Sequence, residues 1–286
     1  MNPYRQLVSE HVRFLSEGRS YPLGGFQRIP RPDIPPDAPK VLLFSPHPDD
    51  EVIVGGLALR LMREARWNVI NVAVTLGSNE ERQAGRRKEL QDCCDCIGFG
   101  VEETGANGLE KVNPKGREQD PDNWSRSVRV IADILLKHRP RAIFFPHDTD
   151  WNSSHVGTHL LVVDALKSLP VNFSCHTIET EFWGQMQTPN LMVELSPDHV
   201  SDLITALTFH VGEVRRNPYH LTIPCTMVDN VRRGCELVGV QGGPAPDFNF
   251  ATLYRLRHWK DGKFQSVYDG GRYLGCGEKA DCLFAS

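Results

Sequence analysis

The chain has 286 residues, 40% of them apolar, enough to bury a sizeable core and too many for a disordered tail. Its 32 Lys and Arg against 36 Asp and Glu leave a net charge of −4, which argues against a broad nucleic-acid-binding face. No apolar run approaches the roughly 18 residues of a membrane span, and the N-terminus lacks the apolar stretch of a secretory leader, so a soluble cytoplasmic protein is expected.

Residues 1–20 read as one amphipathic helix, with Leu7, Val8, His11, Val12, Phe14 and Leu15 near helical spacing. Residues 22–39 carry six prolines, which remove amide donors and fix φ, so this stretch is an extended arm. The division expected is 1–39, a helix and proline-rich arm, and 40–286, a single domain. Lys40–Ser45 is a short apolar run, the pattern of a buried parallel strand. Residues 51–63 then read as a helix, 67–75 as a strand, Glu80–Ile97 and 122–138 as helices, 141–146 as a strand and 158–169 as a helix. Weaker patterns suggest strands at 176–183 and Leu191–Leu195 and a helix at 197–214. Strand and helix alternate, which predicts an α/β fold with a mostly parallel sheet and helices on both faces. The eight cysteines read as reduced, small buried hydrophobes.

Two segments carry chemistry. Ser45-Pro46-His47-Pro48-Asp49-Asp50-Glu51 follows the first strand directly, where open α/β sheets bind ligands. An imidazole and three carboxylates in five residues make a ready cation site, and His47 and Asp50 are normal zinc ligands. A helix start alone would account for the proline and the acids, but not for His47. The second segment, His147 to His159, follows the strand at 141–146 and lies on the same sheet edge. Its histidines, His147, His155 and His159, could complete a three-ligand site with an open water position. His155 and His159, four apart, share a helix face. No H-E-x-x-H, G-x-S-x-G or complete G-x-G-x-x-G motif is present.

His47-Pro48-Asp49-Asp50-Glu51, followed about a hundred residues on by Asp150-x-Asn152-x-x-His155, resembles the LmbE/PIG-L family of zinc-dependent de-N-acetylases. Thr75-x-Gly77, Arg86-x-x-Glu89 with Gly98, Glu179-x-Glu181-x-Trp183 and Phe250-Ala251-Thr252 match further family segments more loosely. The resemblance implies an LmbE-like, Rossmann-like fold and one Zn2+ per chain held by His47, Asp50 and His155. It implies Asp49 as general base and Arg86 as an arginine that holds the sugar. Glu51, His147 and His159 are further candidate substrate contacts. Many members carry a histidine where this chain has Asn152, which can donate a hydrogen bond to an oxyanion but cannot shuttle a proton. His147, His159 or His210 could substitute.

The activity implied is removal of an N-acetyl group from an N-acetylglucosamine-type small molecule, releasing acetate and a free amine. Two alternatives are a zinc amidase acting on a larger acyl group and a non-catalytic carbohydrate-binding relative. For Arg86, the plain alternative is a helical ion pair with Glu89. The arm is long enough to reach a neighbouring subunit, with Tyr21, Leu23, Phe26 and Ile29 as anchors. A homo-oligomer, trimer or hexamer, is expected from the family resemblance; folding of the arm over its own domain is the alternative.

Overall fold

In the computed structural model the described residues are 2–285; Met1 and Ser286, the outer ends of the two expected segments, lie outside them. The elements in chain order are α1 (Pro3–Gly18), β1 (Lys40–Ser45), α2 (Asp50–Ile53), α3 (Gly56–Ala65), β2 (Asn68–Ala73), α4 (Glu80–Ile97), β3 (Gly100–Glu103), α5 (Pro114–Gln119), α6 (Pro121–His138), β4 (Ala142–Pro146) and α7 (Ser153–Ser168). They continue with β5 (Cys175–Thr180), β6 (Leu191–Leu195), α8 (Pro197–Leu207), α9 (Val211–Arg216), α10 (Ile223–Gly234), β7 (Phe250–Lys260), β8 (Lys263–Ser266) and β9 (Arg272–Leu274).

The sheet runs β3-β2-β1-β4-β5-β7-β6-β9, with β8 paired to β7. Strands β3 to β5 are parallel, and β7 closes against β5 and β6 antiparallel. Helices cover both faces, because the strands alternate their side chains. Val41 and Leu43 of β1 enter one core with Leu57, Leu61 and Cys93, while Leu42 and Phe44 enter the other with Ile131, Leu161 and Trp124. The expected α/β class therefore holds.

The single helix expected at 51–63 is two helices. Tyr254 at their junction accepts from the Leu57 amide at 3.1 Å and donates to the Val54 carbonyl at 2.9 Å. Gly55 occupies the break, where a Cβ would collide with the Glu51 carbonyl. The helix expected from 158 begins five residues earlier, because the Asn152 side chain accepts from the Ser154 amide at 2.9 Å. The helix expected at 197–214 is likewise divided, between α8 and α9.

The arm lies along its own domain. The Ile29 amide donates to the Cys96 carbonyl at 2.8 Å, Arg31 Nη1 to the Gly98 carbonyl at 3.1 Å, and the Gly24 amide to Thr208 Oγ1 at 3.2 Å. Leu23 and Ile34 pack against the main core. These contacts match the folded-back alternative; Tyr21 and Phe26 remain exposed. Helix α1 presents Tyr4, Leu7, Val8 and Val12 to solvent.

Candidate metal centre

Strands β1 and β4 are neighbours, but β1 leads on to β2 on one side while β4 leads to β5 on the other. The crevice at their carboxyl ends is thus the switch point of the parallel half-sheet. The turn after β1 delivers His47, Asp49 and Asp50; the loop after β4 and the first turn of α7 deliver Asp150, Asn152 and His155.

His47, Asp50 and His155 converge, with donor atoms all within 4.8 Å of one another. Asp50 Oδ2 lies 3.4 Å from His47 Nδ1 and 3.5 Å from His155 Nε2. Donors about 2.0–2.1 Å from a tetrahedral ion stand about 3.3–3.4 Å apart, so the two separations from Asp50 suit a tetrahedrally held cation. Asp50 is further oriented by the His47 amide, which donates to Oδ2 at 2.9 Å.

His155 supplies the strongest sign of a ligand. It has no exposed surface, and its Nε2 has no hydrogen-bond partner. Its Nδ1 lies 3.2 Å from Asp150 Oδ2, which orients the ring and leaves Nε2 for a cation. Burial pushes the Asp150 carboxyl up, but His155 and the Asn152 amide, 2.8 Å away, outweigh it and hold it below the usual range. Burial likewise lowers the His155 imidazole, but Asp50 and Asp150 dominate and raise it. The two carboxylates favour positive charge at this position, which a metal ion supplies in place of the proton.

Asp49 stands beside this group without joining it. Its φ of 113° is a left-handed conformation that a non-glycine residue rarely adopts. The Asp49 amide donates to Glu51 Oε2 at 2.9 Å, which helps hold the turn. Tyr219 donates its hydroxyl to Asp49 Oδ2. Burial, then the neighbouring Asp50 charge, raise the Asp49 carboxyl to about 8, against the opposing pull of His210, the Tyr219 hydroxyl and Arg86. This is the environment of a carboxylate that holds and releases a proton near neutrality.

The remaining candidates separate. Arg86 reaches the turn, donating from Nη2 to the Pro48 carbonyl at 3.1 Å, and its Nε, 3.8 Å from Glu213 Oε1, has no hydrogen bond. Its expected alternative partner, Glu89, instead accepts from the Gly212 amide at 2.9 Å. Glu51 corrects the expectation of a substrate contact. It has no exposed surface, and it holds His210 Nε2 at 2.6 Å together with the Asp49 amide. His210 is equally buried and is not available to replace the missing histidine.

His147 is also enclosed. Its Nε2 donates to the Gly184 carbonyl at 2.8 Å and its Nδ1 accepts from the Thr149 amide at 3.2 Å, leaving no nitrogen for substrate. His159 turns from the metal group toward the Pro146 carbonyl, 3.0 Å away. Burial lowers its pKa. Asn152 spends its side-chain oxygen capping α7, so its Nδ2 is the group left to donate.

Asp150, Tyr219 and Phe182 were absent from the expected site roles. Asp150 opens the second motif, and its carboxylate-histidine spacing was the available signal. Tyr219 lies 170 residues from Asp49 and Phe182 packs edge-on at 4.5 Å from the His155 ring, contacts with no local signature. A cleft of about 370 Å³ opens from His47 across Thr75, Gly77, Gln83, Lys111 and Asn113.

Residues 42–166 match the family model described as PIG-L: GlcNAc-PI de-N-acetylase. No curated protein matches the chain. Among solved structures, N,N'-diacetylchitobiose deacetylase from Pyrococcus horikoshii is 19% identical with a TM-score of 0.56, covering 77% of this chain and 84% of that one. The zinc-inhibited form of teicoplanin deacetylase Orf2 is 15% identical with a TM-score of 0.53, covering 77% of this chain and 98% of that one. GalB, the 4-carboxy-2-hydroxymuconate hydratase of Pseudomonas putida KT2440, is 15% identical with a TM-score of 0.58, covering 76% and 95%. At these identities the structures share the fold, and the fold supports more than one reaction. Residues 42–166, the stretch that is similar to the PIG-L (LmbE-like) de-N-acetylase family model, carry His47, Asp49, Asp50, Arg86 and His155.

Proposed function

We propose that the protein is a zinc-dependent hydrolase that removes an N-acetyl group from an N-acetylglucosamine-type sugar, glycoconjugate or thiol-sugar. The observation that carries this reading is the buried, unpartnered His155 Nε2 facing Asp50 and His47, with a proton-holding carboxylate on the adjacent residue. A zinc ion held by these three side chains would polarise the amide carbonyl and acidify water, leaving a coordination position open for them.

The chain's own residues supply the rest. Asp49 uses Oδ2 to accept from Tyr219, which leaves Oδ1 to take a proton from the attacking water and return it to the departing amine nitrogen. The Asn152 Nδ2 is a donor for the developing oxyanion. Arg86, whose Nε lies 3.8 Å from Glu213 and whose Nη2 holds the Pro48 carbonyl, is the guanidinium beside this turn for a sugar hydroxyl or phosphate oxygen. Trp151, 73% exposed beside Asp150, offers a face to a sugar ring.

A second reading, cleavage of a larger acyl group, draws on a cavity of about 210 Å³ lined by Ile53, Val54, Phe182, Trp183, Ile223 and Met227. Phe182 also packs on His155, so this cavity, whose lining also includes Glu181, Asn230 and Arg233, adjoins the metal group. The test is a panel of N-acetylated and longer N-acylated amino sugars incubated with zinc-loaded protein, scored for primary amine and free acid. Acetate with stoichiometric amine supports deacetylation, and selective release of longer acids supports the second reading. Amine release from none of the panel would overturn both.

A further inference from the structure

A cavity of about 610 Å³ lies at the opposite end of the sheet from the metal group. It is assembled from the starts of β1, β4 and β5, the end of β7, and Pro36–Pro39 of the arm. At about 3.3 Å per strand residue, the six residues of β1 put it roughly 17 Å from the metal turn.

Its lining departs from the protein's acidic balance. Lys40, Arg139 and Arg141 all face it, and among the described residues none of them forms an ion pair. Asp37 is the one carboxylate in the lining. Three histidines join them. His176 and His258 stack with ring centroids 4.6 Å apart and planes within 9°. His138 is nine-tenths buried; its Nε2 is held by Glu102 at 3.0 Å, while its Nδ1 is buried without a partner. Ser174 Oγ, 2.8 Å from His258 Nε2, adds a hydroxyl. Burial and neighbouring cationic charge, Arg141 included, hold both stacked imidazoles below their usual range, so the positive charge in the lining is that of Lys40, Arg139 and Arg141, set against the one carboxylate of Asp37.

We infer that this cavity is a second binding site, for a dianionic phosphate group, free or carried as a small monoester. Lys40 and Arg139 supply charge, Arg141 and Ser174 supply hydrogen-bond donors, and His138 Nδ1 gains a partner. Arg141 remains anchored through Nη2 to the Phe284 carbonyl at 2.5 Å and has further guanidinium donors. The proline-rich arm serves as one wall of the site, which accounts for a segment that the metal centre does not use.

The test is isothermal titration of the full-length, metal-loaded protein with inorganic phosphate and, separately, with glycerol 3-phosphate. We expect one saturable site per chain, retained in His47→Ala and weakened about tenfold or more in Lys40→Ala and in Arg139→Asn. Asn tolerates the left-handed backbone of Arg139 (φ 47°), so that variant preserves the turn. Arg129→Ala, the same charge change on the exposed face of α6, should leave affinity unchanged. Tighter binding of the ester assigns the site to a monoester; equal binding assigns it to free phosphate. Absence of saturation below about 10 mM, equal binding in both cavity variants, or loss in His47→Ala overturns the inference.

Discussion

Asp49→Asn separates catalysis from metal binding and from folding in one variant. The replacement has the same shape, and its side-chain oxygen can still accept from the Tyr219 hydroxyl. His47, Asp50 and His155 are untouched, so metal content should stay at the wild-type level. Removing the proton acceptor should lower kcat by about two to four orders of magnitude, or roughly 3–5 kcal/mol of barrier. The same change should stabilise the metal-free protein. An acid raised from 3.8 to about 8 on folding contributes stability while protonated. That contribution is complete below the unfolded value and is lost as pH rises through the folded one. Denaturant melts of stripped wild type and variant should therefore diverge from about pH 4 to pH 8, by up to about 1.4 kcal/mol per pH unit, the variant being the more stable. Loss of metal in Asp49→Asn would make Asp49 a ligand. A stability difference that stays flat with pH would show that Asp49 does not hold the proton.

His47→Ala and His155→Ala should each bring bound zinc far below one equivalent in elemental analysis, since two protein donors make too weak a site. Asp150→Asn keeps all three ligands but loses the carboxylate that orients His155, and zinc affinity in a chelator competition should fall about 10–100-fold. Arg86→Lys should raise KM with little change in kcat, because lysine lacks the guanidinium fork; unchanged kinetics would assign Arg86 to holding the Pro48 turn alone. Deleting residues 1–38 uncovers the surface under Leu23 and Ile34 and should cost about 2–4 kcal/mol in a denaturant melt. Light scattering of both forms tests the proposed homo-oligomer: a monomeric full-length chain at micromolar concentration would refute it, and an assembly that survives the deletion would show that the arm does not hold it.

The local signals in the sequence were those set by local physics. Lys40–Ser45 and Ala142–Pro146 are continuous apolar runs because both of their faces are buried, and alternation with helices implied the parallel sheet before any contact was known. His47, Asp49 and Asp50 stood out as candidates because an imidazole and two carboxylates sit on one turn at the end of one strand. The second strand-to-helix segment offered His147, His155 and His159 alike, since parallel neighbours bring their carboxyl ends to one edge, and the family resemblance singled out His155. What needed the tertiary structure was the direction of each side chain. Glu51 differs from Asp50 by one helical position, about 100°, and that rotation sends it inward to His210. His147 and His159 stand as close in sequence to the metal segment as His155, yet backbone carbonyls at Gly184 and Pro146 claim them. The hydroxyl of Tyr219 on Asp49, the ring of Phe182 on His155 and the basic cavity under the arm join segments far apart in the chain. Such contacts are selected by packing of the whole domain and leave no periodicity or spacing to read.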